Sequence, residues 1–158
     1  MKATQAWGGV SFYRAAGMLY PKDKRLFEDP YSEKLLIPFF KLLIALMRSP
    51  KRFDRIIKSH EKTYPGQFGW MLCRTRYIDD VLKNGITKNG IETVVNLGSG
   101  MDCRAYYIPG IENLRYFEVD HPSVIKKKKV KLKKILGNLP NHVFLSQSIL
   151  KSKVLTLN

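Results

Sequence analysis

The stretch ETVVNLGSGMDCRAYYIPGIENLRYFEVD, residues 92–120, decides how this chain is read. Its apolar run Val94, Val95, Asn96, Leu97 is long enough for a buried strand. The run breaks at Gly98-Ser99-Gly100, where two glycines permit a tight turn and let a ligand approach bare backbone. A second strand-like run, residues 114–119, ends at Asp120, and Pro122 stops it. Strand, glycine turn, short helix and a second strand tipped by an acid make the first half of a nucleotide-binding βαβ unit. Asp120 stands 20 residues past Gly100, a spacing that suits a carboxylate holding two ribose hydroxyls. Strand alternation and its place at the tip favour it over Glu118.

The third glycine of a dinucleotide fingerprint is missing, since Cys103 stands there, and Asp102 directly follows the turn. A carboxylate at that point repels a pyrophosphate. S-adenosylmethionine carries an adenosine without phosphate and a cationic sulfonium, and it suits the turn better. Asp102 also reads as the cap of the short helix that follows, a structural role before a ligand-facing one. Two turn glycines with an ordinary acidic strand end are the plain structural alternative.

Upstream, the most informative element is a helix expected over residues 68–83. Trp70, Met71, Tyr77, Ile78, Val81 and Leu82 recur with helical spacing and define one apolar face. Arg74 projects into the middle of that face, whereas Arg76, Asp79 and Asp80 fall outside it. A guanidinium at the centre of a core-facing stripe must be paired, with a ligand or with a core acid. Further helices are expected over 31–47, after Asp29-Pro30, and over 50–62, with Asn84-Gly85 and Asn89-Gly90 as turns. A helix over 123–136 places Val124, Ile125, Leu132, Ile135 and Leu136 against a lysine run, and a third strand spans 142–145.

The formal charge of +15 is unevenly placed: all 13 acids precede residue 121, and nine lysines follow it. The run KKKKVKLKK (126–134) has no aromatic side chain that could stack on bases, so it reads as a solvated helix face rather than a nucleic-acid site. Cys73 and Cys103 make no disulfide framework and suit a reducing, cytoplasmic setting. His60, His121 and His142 lack metal-ligand spacing, so no metal site is expected. The N-terminal MKATQAWGGV lacks the apolar core of a signal peptide. The greasiest run, residues 35–47, is too short for a membrane span, which needs about 20 apolar residues.

Four segments in order, FEDPYSEKLL (27–36), CRTRYIDDVL (73–82), VVNLGSGMDCRAYYIPG (94–110) and YFEVDHP (116–122), resemble the leucine carboxyl methyltransferase family and its polyketide-associated relatives. The resemblance covers roughly residues 10 to 136. It implies a class I methyltransferase-like (Rossmann-like) α/β fold: a helical N-terminal cap over 1–90 and a doubly wound sheet from 91 onward. It implies S-adenosyl-L-methionine as cofactor, with Arg74 binding the methionyl carboxylate, Gly98 and Gly100 cradling the ligand, Asp120 on the ribose and Arg14 contributing to the pocket. The implied reaction is carboxyl methylation of a small-molecule or protein carboxylate, and no residue is singled out as catalytic.

The chain departs from the family pattern after its third strand, where Ser146-Gln147-Ser148-Ile149-Leu150 and KSKVLTLN stand instead of an acidic strand end. The expectation is a sheet truncated after about three strands, with an open edge at 94–97 that invites self-association. Such a chain would lack transfer activity of its own. Two other classes remain: a non-catalytic cofactor-binding or regulatory remnant, and a basic nucleic-acid-associated domain.

Overall fold

The computed structural model describes residues 6–147. Residues 1–5 of the N-terminal segment, and Ser148-Ile149-Leu150 with the end KSKVLTLN, lie outside the described residues. Five helices come first: α1 (Ala6–Gly17), the short α2 (Ser32–Leu35), α3 (Pro38–Met47), α4 (Pro50–Thr63) and α5 (Gln67–Lys88). Then follow β1 (Thr93–Leu97), β2 (Arg115–Asp120), α6 (Pro122–Leu136) and β3 (Val143–Gln147). The three strands are parallel in the order β1-β2-β3, with Leu97 opposite Val119 and Asp120 opposite Gln147. Helices together with a parallel sheet and a glycine turn after β1 make a mixed α/β, Rossmann-like architecture. Among the described residues no helix is long and apolar enough to cross a membrane.

Two expected elements change at their boundaries for local reasons. The single helix over 31–47 is broken into α2 and α3, because Pro38 forces Ile37 into an extended conformation (φ −73°, ψ 158°) and then opens α3 as its first residue. Ahead of α2 the Asp29 carboxylate closes a turn, accepting from the amides of Tyr31 (3.0 Å) and Ser32 (2.9 Å). Conversely, Asn84-Gly85 is no turn. α5 runs through it to Lys88, and Ile91 folds back onto Gly85, where an added Cβ would lie 3.0 Å from the Ile91 Cδ1. Between β1 and β2 the short helix is two 3-10 turns, Arg104–Tyr106 and Ile111–Asn113.

Three apolar clusters hold these layers. Ala15, Ala16, Phe27, Leu36, Ile44, Met47, Phe53, Phe68 and Leu72 form the core of the helical part. Ala105, Ile108, Ile111, Leu114 and Tyr116 cover one face of the sheet. A third cluster, Leu35, Met101, Cys103 and Leu132, joins α2, the segment after the glycine turn and α6.

The face of α5 is not the one its hydrophobic residues suggest. Phe68, Met71, Leu72, Thr75, Asp79 and Gly85 are buried, whereas Trp70, Tyr77 and Val81 are 61%, 70% and 51% exposed. The buried stripe is turned by about one residue, roughly 100°. Polar Thr75 and Asp79 belong to it because both find partners inside, and an apolar count scores them as surface. Arg74 is accordingly exposed rather than at the centre of a core stripe.

The lysine run of α6 also departs from a wholly solvated face. Val124, Ile125, Lys128 and Leu132 are buried, and the Lys128 Nζ lies 2.6 Å from the Glu118 Oε2 with both side chains fully inaccessible. Burial pushes the Glu118 carboxyl up, and the Lys128 ammonium offsets that in part. Glu118 and Asp120 are two apart and share a strand face. What separates them is depth: Glu118 sits under α6, and Asp120 sits at the strand tip.

Removing one partner of a buried ion pair strands the other, a loss of about 3–5 kcal/mol. Lys128→Met is expected to lower the melting temperature by on the order of 10 °C. Lys126→Met, on the exposed face of the same helix, should stay within about 0.5 kcal/mol of the parent. A thermal melt of the two variants checks this, and equal melting temperatures would remove Lys128 from the core.

Candidate functional site

A cavity of about 500 Å³ opens at the carboxyl end of β1 and β2. Open parallel sheets place their ligands there, and the volume lies in the usual range for small-molecule sites. α1 supplies Val10, Ser11 and Arg14; α5 supplies Arg74, Ile78 and Leu82; residues 94–102, Arg104, Tyr116 and Asp120 complete the walls. Arg14 and Arg74, from two helices, are thus brought to one cavity with Gly98, Gly100 and Asp120.

The floor is the glycine turn. Gly98 and Gly100 have φ of +67° and +50°, a region where only glycine sits without strain. The amides of Gly98 (2.8 Å) and Ser99 (3.3 Å) donate to the Val119 carbonyl, so the turn is tied to the end of β2. Asp120 adds a second tie, its two oxygens accepting from the amides of Gly100 (2.7 Å) and His121 (2.6 Å). The acid is therefore fixed in place before any ligand arrives. The Ser99 Oγ is buried without a hydrogen-bond partner.

The back wall is a buried ionic network. Arg14, 2% exposed, pairs with Asp29 at 2.7 Å and Asp102 at 3.1 Å, and donates to the Tyr107 hydroxyl at 2.7 Å. Arg104 pairs with Asp79 at 2.5 Å and with Asp102, and donates to the Thr75 carbonyl at 3.3 Å. The Tyr107 hydroxyl closes the ring by donating to Asp79 at 3.3 Å. Three carboxylates face two guanidinium groups, which leaves one negative charge in excess. Burial alone would raise the Asp102 carboxyl, but Arg14 and Arg104 beside it hold it well below the usual range. Burial works against the charge on Arg14 as well, and Asp102 and Asp29 outweigh it, keeping Arg14 protonated.

This geometry corrects one expectation for α5 and gives Arg14 its partners. Arg14 lines the cavity with its charge committed to Asp29 and Asp102. Asp79 is not outside the buried face but is the partner of Arg104. Arg104 itself had no role assigned, although it stands two residues after Asp102 in a segment already singled out. The available signal was that Asp102-x-Arg104 pairing, which hydrophobic periodicity cannot register. Asp102 does act as a cap, accepting from the Arg104 amide at 2.9 Å.

Arg74 occupies the opposite situation. It lines the cavity beside Ile78 and Leu82, is exposed, and has no carboxylate partner among the described residues. Arg76 is paired with Asp80 at 2.7 Å and donates to the Leu26 carbonyl at 2.9 Å, away from the cavity. No group of three or more His, Cys, Asp and Glu side chains that could hold a metal occurs among the described residues.

A sequence model of the family described as leucine carboxyl methyltransferase matches residues 8–149. A protein of Mycobacterium avium (strain 104), named "Putative S-adenosyl-L-methionine-dependent methyltransferase", is 32% identical over 127 residues, covering 77% of this chain and 40% of the relative. A Mycobacterium bovis (strain BCG / Pasteur 1173P2) protein of the same name is 33% identical over 135 residues, covering 79% of this chain and 42% of the relative. The chain spans about two fifths of the length of these curated relatives.

The depressed Asp102 carboxyl has a sign. A group whose folded pKa lies below its unfolded value contributes stability above the unfolded value, here 3.8, and loses it as pH falls toward the folded one. Asp102→Asn is expected to melt several degrees lower than the parent at pH 7. That gap should narrow as the pH is taken below about 4. Melting curves across pH check it, and a pH-independent gap would mean that Asp102 acts through shape rather than charge.

Proposed function

We propose that this chain, which belongs to the leucine carboxyl methyltransferase family, binds S-adenosyl-L-methionine in the cavity over its glycine turn. The observation that carries the reading is the convergence of Asp120, the Gly98–Gly100 turn and the unpaired Arg74 on one cavity. Asp120 would take the ribose hydroxyls with the lone pairs its two backbone amides leave open. Arg74 would take the carboxylate of the methionyl group, a task suited to the planar fork of a guanidinium. Gly98 and Gly100 would let the ligand lie against backbone, and a Cβ on Gly98 would point into open space. Arg14 contributes as a wall that fixes Asp102, its own charge being occupied. The excess negative charge of the network favours a cationic ligand over a phosphate.

When bound, the cofactor supplies an electrophilic methyl group. The reaction type we infer is transfer to a carboxylate, on a small molecule or a protein. A carboxylate is ionised at pH 7, so no general base is needed. The residues of this chain bind and orient, and none is assigned as catalytic. In this reading residues 1–90 are the helical cap and residues 91–158 the cofactor-binding part. The cavity opens beside Val95 and Leu97, 56% and 68% exposed, and no described residue closes that side. The 158-residue chain by itself is therefore expected to bind cofactor without transferring methyl groups. A purely cofactor-binding or regulatory role agrees with the same geometry.

Asp120→Ala should weaken S-adenosylmethionine binding at least tenfold, because charge-assisted hydrogen bonds of roughly 1.5–3 kcal/mol are lost. Arg74→Lys keeps the charge but loses the fork, so affinity should fall, while Arg76→Lys leaves it unchanged. Equilibrium titrations decide both, and equal behaviour of the two lysine variants would dismiss Arg74 as the clamp.

The free side of β1 makes the second expectation of this reading, self-association through that strand. Its edge is unpaired among the described residues, and its Val95 and Leu97 are apolar. Sedimentation should show concentration-dependent association that Val95→Lys reduces. A strictly monomeric parent chain would contradict it.

A further inference from the structure

Helix α3 carries an apolar stripe that no other described residue covers. Phe39, Leu42 and Leu46, at helical spacing, are 66%, 62% and 42% exposed, while Ile44 and Met47 on the opposite side are buried. Three aligned exposed apolar side chains on one helix exceed the scattered surface leucines of an ordinary soluble domain. The stripe is not isolated. Lys41 borders it on the same helix, and beyond Lys41 a cavity of about 410 Å³ is lined by Lys34, Leu36, Lys41, Lys131, Lys134 and Ile135.

Four lysines from α2, α3 and α6 thus converge without an acidic side chain in the lining. Glu33, the acid on α2, is paired with Arg48 at 2.8 Å. Lys131 reaches into the junction, where its Nζ donates to the carbonyls of Leu35 and Leu36. Burial, then the charges of Lys41 and Lys127, lower its pKa. Like charges brought together in this way repel one another and favour an anionic partner.

We propose that α3 and the adjoining lysine cluster form a docking surface for an anionic lipid bilayer, α3 lying in the interface plane. A basic cluster beside a short apolar helical stripe is the combination such binding uses, charge attracting anionic headgroups and Phe and Leu side chains entering the acyl boundary. The 10 residues of α3 reach only about 15 Å, far short of the bilayer core, so the contact is peripheral. The stripe has one exposed aromatic ring, Phe39, beside aliphatic Leu42 and Leu46, too few to stack successive bases, which favours lipid over nucleic acid.

The test is co-sedimentation of the 158-residue chain with phosphatidylcholine vesicles, with and without phosphatidylserine. Binding is expected only with phosphatidylserine and should weaken with salt. The double variant Phe39→Ser/Leu42→Ser, unchanged in charge and melting temperature, should lose at least about tenfold in partition. Lys41→Gln/Lys134→Gln should lose about fivefold per lysine. No binding to phosphatidylserine vesicles overturns the proposal. So does undiminished binding of the serine variant, which would leave only unspecific adsorption of a basic chain. A chain that ignores lipid but forms a dimer dissolved by the serine variant would show that a second copy covers α3.

Discussion

The structure depends on a buried ring of charge: Arg14 and Arg104 set among Asp29, Asp79 and Asp102. These residues come from α1, the loop before α2, α5 and the segment after the glycine turn. Among the described residues no apolar cluster joins the same four places. Ion pairs taken out of water repay their desolvation only when geometry and extra hydrogen bonds are good. Here the Tyr107 hydroxyl and the Thr75 carbonyl supply those extra bonds. The network fixes which segments meet rather than adding bulk stability, and what it fixes is the back wall of the cavity.

That arrangement divides the arginines by task. Two are held by acids and shape the site, while Arg74 lines the wall without a carboxylate partner among the described residues. The carboxylates divide likewise. Glu118 is neutralised by Lys128 beneath α6, Asp102 is locked by two arginines, and Asp120 is tied to backbone amides while it lines the cavity. One carboxylate and one guanidinium are thus left lining the cavity, beside a wall with a small negative excess.

Much of this was legible in the sequence. The glycine turn, the acid 20 residues beyond Gly100 and the three strands follow from apolar runs and turn chemistry, which act over a few residues. What was not legible rests on pairing between distant residues. An apolar count misplaces the face of α5, because Thr75 and Asp79 count as polar until Arg104 is seen beside Asp79. Lys128 looks solvated in the sequence for the same reason, its partner lying on β2. Nothing local to Arg14 points to its partners Asp29 and Asp102. The break at Pro38, by contrast, was a local signal in plain view that the long apolar run obscured.

The claim most open to direct test is that this cavity takes an adenosine ligand bearing positive charge and no phosphate. Calorimetric titration of the 158-residue chain with S-adenosylmethionine, alongside NAD as the phosphate-bearing comparison, measures it. The account predicts saturable binding of one S-adenosylmethionine per chain and no measurable heat with NAD. Absence of S-adenosylmethionine binding, or equal binding of NAD, would contradict it.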